Sequence, residues 1–316
     1  MAQNVVYIMG CLGFIGSYIT RICLRQGFQV RGVDKISRQS HEELLPEFQA
    51  YANFVFEKRD IRQLDYLYDC TYIINAAAET YIDAPIEQNM DFQESNVSSV
   101  FHLLELIRKF NHYEKPILIH LSTHEVYGNY SKTPYKETDL LSPITPFAVT
   151  KACADQMITA WSQYYKIPYL ILRLSNNYGI GQHSGKLLPK ACKFIQLGRK
   201  LPLHENGTPV RTWLHVEDTV DAIMKLMMMK VYNDVFNVSS DFSQQNIVTV
   251  QKVINQFFPE ERNYNKYVDF SWTKIGKDAK YFIDDSKLRA TGWLSRRNFD
   301  EELPRIVEYY RKNYVW

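Results

Sequence analysis

Short apolar runs alternate with helix-like stretches along the first half of the chain. The runs cover residues 5–9, 28–34, 53–56, 72–75, 116–121 and 168–174, and the longest helical patterns between them cover 91–110 and 147–165. Strands this apolar are buried on both faces, which is typical of a parallel sheet covered by helices. The alternation therefore predicts an α/β fold with a doubly wound parallel sheet of the Rossmann type.

The pattern changes after residue 179. Helical and loop patterns then dominate, with one return to a strand pattern at residues 235–238. No repeat, low-complexity tract or Pro/Gly-rich linker separates the two parts. We therefore expect residues 1–179 to form the larger α/β domain and residues 180–316 a smaller C-terminal lobe, with some crossing of the chain between them.

Charge and cysteine content exclude several classes of protein. With 37 basic and 35 acidic side chains the net charge is +2, which argues against nucleic acid or a membrane as the main partner. The five cysteines are odd in number and form no C-x-x-C pair, which is typical of reduced thiols in the cytoplasm. The eight histidines show no metal-ligand spacing, so we expect no metal. No apolar stretch is long enough to span a membrane, and no leader-like segment opens the sequence.

Three glycines follow the first strand pattern directly. Gly10, Gly13 and Gly16 form G-x-x-G-x-x-G at the start of the first helical pattern, where a tight backbone can approach a pyrophosphate at a helix N-terminus. Asp34 ends the second strand pattern about 20 residues further on, where a carboxylate accepts hydrogen bonds from an adenosine ribose. The same carboxylate repels a 2′-phosphate, which favours NAD over NADP, although two neighbouring cations weaken this preference.

Two further turns are candidates for cofactor contacts. Asp60 follows the third strand pattern, where it could face the adenine or be an ordinary surface aspartate. The small residues of N-A-A-A at 75–78 end the fourth strand pattern and leave room for a flat dinucleotide. Beside Gly10, Gly13, Gly16 and Asp34, the predicted cofactor contacts are Phe14, Ile15, Asp60, Ile61, Ala76 and Ala77.

A polar motif, S-T-H-E-V-Y-G, follows the fifth strand pattern at residues 122–128. Open α/β sheets bind ligands at the carboxyl ends of their strands. Thr123, His124 and Glu125 would place a hydroxyl, an imidazole and a carboxylate there, and these groups are candidates for proton transfer. A simpler alternative is that the threonine and the glutamate cap the following turn.

Several motifs occur in a fixed order along nearly the whole chain. They are G-x-x-G-F-I-G-S, N-A-A-A-E-T, S-T-x-E-V-Y-G, a helix that carries Lys151, R-L-S-N-N-Y-G, K-L-L-P and R-T-W-L-H-V-E-D. In this order the sequence resembles the extended short-chain dehydrogenases/reductases that act on nucleotide sugars, most closely the dTDP-glucose 4,6-dehydratases. The resemblance implies a lyase of deoxysugar biosynthesis with NAD as cofactor, a dTDP- or UDP-linked hexose as substrate, and a homodimer.

The resemblance also implies roles for single residues. In this family the sugar is oxidised at C4, a glutamate takes the C5 proton, and an acid helps the C6 hydroxyl leave as water. By position, Thr123 would bond to the sugar O4, Glu125 would be the C5 base, and Lys151 would hold the nicotinamide ribose. The substrate contacts implied in the same way are Thr80, Asn177, Lys186, Leu187 and Arg211.

The sequence departs from the family pattern at two positions of the chemistry. His124 stands where the dehydratases have an aspartic acid; it is either an imidazolium that protonates the leaving hydroxyl or a packed residue that reshapes the pocket. Phe147 stands where the family has a tyrosine whose phenolate takes the C4 hydroxyl proton. Because a positioned general base is commonly worth about 10²–10⁴ in rate, we expect slow or silent oxidation.

Three explanations of Phe147 remain open. It is an introduced substitution, or a natural one for which Thr123, His124 or Tyr178 compensates, or the mark of a relative that binds without turnover. The alternative functions are accordingly a nucleotide-sugar 4-epimerase or decarboxylase on the same scaffold, and a non-catalytic protein that binds NAD and a nucleotide sugar.

Overall fold

The computed structural model describes residues 4–80, 89–110, 114–129, 133–271 and 282–313. Its strands are β1 (Val5–Met9), β2 (Gln29–Asp34), β3 (Phe54–Lys58), β4 (Tyr72–Asn75), β5 (Ile117–Thr123), β6 (Tyr169–Leu174), β7 (Asn176–Tyr178), β8 (Leu201–Pro202), β9 (Val210–His215), β10 (Asp234–Val238), β11 (Ser243–Gln245) and β12 (Val268–Asp269). Seven of them form one sheet in the order β10-β6-β5-β4-β1-β2-β3, and every neighbouring pair is parallel. This confirms the predicted doubly wound sheet.

The described residues form ten α-helices. They are α1 (Phe14–Arg25), α2 (Leu45–Gln49), α3 (Asn89–Gln93), α4 (Ser99–Arg108), α5 (Pro146–Tyr165), α6 (Leu187–Gln196), α7 (Val216–Met228), α8 (Asn246–Phe257), α9 (Ser286–Arg289) and α10 (Phe299–Asn313). A π-helical segment, Glu94–Ser98, joins α3 to α4, so the helix predicted at 91–110 contains an irregular turn. Among the described residues no helix has both the length and the apolar character needed to cross a membrane.

The sheet has a separate hydrophobic core on each face. One core packs α1 and α7 against the sheet, and the other packs α4 and α5 against its opposite face. The strands are apolar on both sides because both sides are buried, which is the physical origin of the continuous apolar runs in the sequence. The strand order reverses at β1: β2 and β3 follow on one side of it, and β4, β5 and β6 on the other. Open α/β sheets bind ligands at the carboxyl ends of the strands at such a point.

The second part of the chain contains more strands than the sequence predicts. Besides β10, which joins the main sheet beside β6, the structure has β8, β9, β11 and β12 after residue 179. Three of these have only two or three residues, too few to show a period of two. A third core lies between α6, α8 and α10.

Candidate active site

A cleft with about 1080 Å³ of empty space, its open mouth included, lies at the carboxyl ends of the strands where the order reverses. The glycine loop, the end of β2, the turn after β3 and residues 76–80 after β4 line it, together with residues 182, 183 and 186. The predicted cofactor residues in this lining are Gly10, Gly13, Phe14, Ile15, Asp34, Asp60, Ile61, Ala76 and Ala77. Gly16 and Lys151 lie outside it.

Close backbone packing explains two of the glycines. Gly10 has φ +77°, and a Cβ added there would lie 2.8 Å from both the Cα and the N of Ala77. A Cβ on Gly16 would lie 1.9 Å from the carbonyl oxygen of Gly10, so α1 packs directly on the loop. Gly13 precedes α1 and provides no side-chain cap. The first turn of the helix therefore keeps backbone N–H groups that can bind an anion.

Asp34 organises the loops around the cleft. Its buried carboxylate accepts hydrogen bonds from the backbone N–H of Leu12 (3.1 Å), from that of Ile36 (2.8 Å) and from the hydroxyl of Ser40 (2.8 Å). It thereby ties the glycine loop to the loop after β2. A carboxylate has about four acceptor positions, so a ribose hydroxyl bound here would share it with these protein donors.

Asp60 caps the 3₁₀ turn Ile61–Gln63. Its carboxylate accepts from the backbone N–H of Arg62 (2.9 Å) and pairs with the Arg62 guanidinium (3.0 Å). Partial burial works to raise its pKa, but the hydrogen bonds from Arg62 outweigh that effect and lower it. Asp60 is thus both a turn cap and part of the cleft lining, and its contact with the adenine stays a prediction.

Hydrogen bonds join segments that line the cleft but are far apart in the sequence. The ammonium of Lys186 donates to the carbonyl of Thr80 at 2.7 Å, and Gln39 bonds to Glu79. Thr80 and Lys186, predicted as substrate contacts, therefore line the same cavity as the cofactor residues, whereas Leu187 begins α6 and packs on the third core. Gln39 and Glu79 are not among the residues predicted from the sequence. Gln39 follows the carboxyl end of β2 and Glu79 that of β4, and this position could have marked both as candidate ligand contacts.

The motif after β5 forms a 3₁₀ turn, His124–Tyr127. Thr123 is the last residue of β5, and its hydroxyl accepts from the backbone N–H of Glu125 at 3.2 Å, so the threonine does cap the turn. His124 is buried, and burial together with the nearby Arg211 charge lowers its pKa to about 3. The ring is therefore neutral at pH 7, and the structure does not support the imidazolium interpretation.

Phe147 and Lys151 lie on one face of α5, near its start. Thr145 caps this helix by accepting from the backbone N–H of Ala148 (3.1 Å). Phe147 is buried, with its ring centroid 6.1 Å from that of Phe92. The buried Lys151 ammonium contacts the carbonyl of Leu121 at 2.7 Å. Burial lowers the pKa of Lys151 to about 8, although the carboxylate of Asp155 opposes this change.

The other predicted substrate residues, Asn177 and Arg211, lie on a small sheet of β11, β9 and β7 and not in the lining of the cleft. The Asn177 side chain accepts from the hydroxyl of Thr219 (2.6 Å), and Arg211 lies on β9, which pairs with β7. Tyr178 is buried in the third core, with its ring centroid 4.9 Å from that of Phe299, and burial raises its pKa. The structure therefore does not support Tyr178 as a substitute base.

Asn96, in the π-helical segment, connects the cleft to α5. Its buried amide accepts from the backbone N–H of Glu79 (2.9 Å) and donates to the carbonyl of Glu79 (3.0 Å) and to the hydroxyl of Thr150 (3.1 Å). π-Helical turns occur frequently at functional sites. Asn96 is not among the residues predicted from the sequence. The polar run E-S-N-V-S-S inside an otherwise apolar helical pattern was the signal, because serine and asparagine are weak helix formers.

Comparison with known proteins identifies the family of this chain. Residues 7–306 match the family model described as GDP-mannose 4,6 dehydratase. The chain therefore belongs to this family, within the extended short-chain dehydrogenases/reductases that act on nucleotide sugars.

Among the described residues, no three His, Cys, Asp or Glu side chains are grouped so that they could hold a metal ion.

Three similar proteins illustrate the relationship. The dTDP-glucose 4,6-dehydratase of Haemophilus influenzae is 29% identical over 332 aligned positions, which cover 98% of both chains. A low-salt glycan biosynthesis protein of Haloferax volcanii is 30% identical over 96% of this chain and 98% of its own. The crystal structure of dTDP-glucose 4,6-dehydratase from Streptomyces venezuelae, which contains NAD, matches with a TM-score of 0.89 at 26% identity, over 98% of this chain and 97% of that one.

Proposed function

We propose that this protein is an NAD-dependent nucleotide-sugar 4,6-dehydratase that acts on a dTDP- or UDP-linked hexose, with an oxidation step slowed by Phe147. The observation that carries the proposal is that the predicted catalytic residues are linked structurally to the predicted cofactor cleft. Thr123 ends β5 and Glu125 lies in the 3₁₀ turn that follows it, beside α5, which bears Lys151. This helix is linked through Asn96 to a cleft with a glycine cradle. The dehydratases among the similar proteins support the same reaction class.

The residues of the cleft fit a dinucleotide. The glycine loop and the uncapped start of α1 would hold its pyrophosphate, and Asp34 would accept a hydrogen bond from the adenosine ribose. Ala76 and Ala77 leave space for a flat ring. When bound, NAD supplies reversible two-electron oxidation of a carbinol carbon.

The chain's own groups handle the protons of the sugar. We assign to Glu125 the removal of the C5 proton, which a neighbouring 4-keto group makes acidic enough for a carboxylate to take. The hydroxyl of Thr123 bonds to the sugar O4, and the ammonium of Lys151 holds the nicotinamide ribose. Cationic and amide donors complement the diphosphate of the substrate. They are Lys186, Arg211 and Asn177.

His124 has a different role from the one implied by an aspartic acid at this position. Because its ring is neutral at pH 7, it shapes the pocket and donates at most a neutral N–H to the leaving hydroxyl. This is a weaker form of help than proton transfer, and we expect slow dehydration as a result.

Phe147 supports a second candidate function, binding of NAD and a nucleotide sugar without turnover. The buried ring offers no proton to exchange, and Tyr178 lies in the third core. Of the groups that could compensate, Thr123 and His124 remain. The first has an unactivated hydroxyl, and the second has a ring of low basicity.

Domain roles and assembly form part of the same proposal. We assign dinucleotide binding to residues 1–179 and nucleotide-sugar binding to residues 180–316. Large apolar side chains are exposed on the outer faces of α4 and α5, among them Phe101 (47%), Val149 (50%) and Tyr164 (79%). These faces suit a homodimer in which both helices pair with their copies.

The test is incubation of NAD with dTDP-glucose, UDP-glucose or GDP-mannose, followed by mass spectrometry for the loss of one water. The unchanged protein and its Phe147→Tyr variant are compared, and we expect the variant to be faster by about 10²–10⁴. Phe92→Tyr is the matched control, because it adds a hydroxyl to the neighbouring buried ring. Binding of NAD and sugar nucleotide without dehydration by any form would support the second candidate. Absence of binding would refute both.

A further inference from the structure

Two buried groups orient the ammonium of Lys151. Nζ lies 2.7 Å from the carbonyl oxygen of Leu121 and 3.0 Å from Nε2 of His120. A lysine ammonium has three N–H donors. In the described part of the chain these two atoms are its hydrogen-bond partners, so one of the three positions on Nζ is left for a ligand.

The proton of His120 must be on Nδ1. Burial and the neighbouring Lys151 charge hold the pKa of this ring well below 6.5, so the imidazole is neutral and carries one proton. Since Nε2 faces an ammonium, it has to act as an acceptor, and the single N–H is then on the other nitrogen. This is the tautomer in which the histidine can bind Lys151 from one side and another residue from the opposite side.

Asn75 is the residue on the opposite side. Its amide nitrogen lies 3.2 Å from Nδ1 of His120, while its Oδ1 is buried and lacks a hydrogen-bond partner among the described residues. A half-turn of the amide, which keeps its shape, places Oδ1 against the Nδ1–H instead of one donor against another. The contact then fixes the tautomer that the lysine requires.

We propose that His120 is a positioning residue that, held by Asn75, accepts a hydrogen bond from Lys151 and directs the remaining N–H of the ammonium to the bound dinucleotide. The inference rests on the proposed function. An amide cannot take up a proton, so the chain of contacts ends at Asn75.

Other charged groups near the lysine do not replace this contact. Asp155 lies one turn further along α5, and its carboxylate is paired with the guanidinium of Arg173 on β6 at 3.0 Å. Both are buried.

The first test is the nitrogen-15 spectrum of histidine-labelled protein without ligands. The signal of His120, identified by its absence in the His120→Gln variant, should show a protonated Nδ1 and an unprotonated Nε2 at pH 7. The Asn75→Leu variant should lose this pattern, because the partner of the Nδ1–H is gone. A proton on Nε2 in the unchanged protein would overturn the inference.

The second test compares two substitutions of His120 whose amide side chains differ in length. The carbonyl of glutamine in His120→Gln can occupy the place of Nε2, whereas the shorter side chain in His120→Asn reaches only the place of Nδ1. We expect His120→Gln to keep NAD affinity within about threefold and His120→Asn to lose about tenfold or more, since bonds to charged groups are the stronger ones.

Calorimetric titration with NAD and thermal melting are both recorded for these variants. Equal losses of affinity in two variants of equal melting temperature would refute the positioning role. If His120→Asn does not fold, the nitrogen-15 spectrum decides the question. Absence of NAD binding by the unchanged protein would refute the proposed function, while the tautomer of His120 would still test the inference.

Discussion

Alanine at position 10 should destabilise the protein and close its cleft. Gly10 has φ +77°, a left-handed conformation that L-residues adopt at a cost of about 1–2 kcal/mol. The new Cβ would also lie 2.8 Å from the backbone of Ala77, which is closer than ordinary van der Waals contact. Overpacking of this kind typically costs about 1–3 kcal/mol. The two effects act on the same residue and have to be separated.

Gly27 provides the matched control. Its φ is +82°, almost the same as at Gly10, but a Cβ added there meets nothing within 4 Å. Gly27→Ala therefore reports backbone strain alone, whereas Gly10→Ala reports strain plus the contact with Ala77. The difference in the free energy of unfolding between the two variants should be about 1–3 kcal/mol.

Thermal unfolding without ligands measures that difference, and calorimetric titration with NAD measures the effect on the cleft. We expect Gly10→Ala to melt at a lower temperature than Gly27→Ala and to bind NAD more weakly, while Gly27→Ala binds like the unchanged protein. Equal melting temperatures for the two variants would refute the argument that close backbone packing requires glycine at position 10.

Two further predictions concern protons. Glu125→Gln should slow exchange of the C5 hydrogen with deuterated water by about 10²–10⁴ when a 4-keto-6-deoxy sugar nucleotide is supplied, so that oxidation is not needed. Undiminished exchange would remove Glu125 as the base. Because His124 has a folded pKa of about 3 against 6.5 when unfolded, the unfolded chain binds its proton first as the pH falls. From pH 6.5 to 5 the protein should lose about 2 kcal/mol more stability than His124→Asn. Parallel losses in urea-unfolding measurements would contradict this.

The sequence predicted the main sheet well because its signals are local. Apolar runs placed six of its strands within one or two residues of their observed bounds. The helix predicted at 91–110 is observed from Asn89 to Arg108, interrupted by the π turn at Glu94–Ser98. The short strands after residue 179 were missed because strands such as β8 and β12 have two residues each. Pairing with a distant segment, and not local pattern, stabilises elements of this length.

At the site, the cofactor-binding residues could be predicted from local sequence, whereas the state of the catalytic residues could not. The glycine loop and Asp34 are recognisable because a tight turn after a strand and a carboxylate at the end of the next one are local features. The environment of His124 is different in kind. Its sequence position left two alternatives open, an imidazolium acid and a packed residue, and the lowered pKa of the buried ring beside Arg211 favours the second. Burial depends on segments far apart in the chain.

The sequence by itself determined the parallel α/β sheet, the glycine cradle and the order of the family motifs, because these follow from spacing over a few residues. Only the tertiary structure decided how the polar groups beneath the cleft pair. Lys151 meets His120 across 31 positions of the chain, and His120 meets Asn75 across 45. Such contacts arise where adjacent parallel strands end together under one helix, and strand order is set by packing of the whole sheet and not by any local stretch.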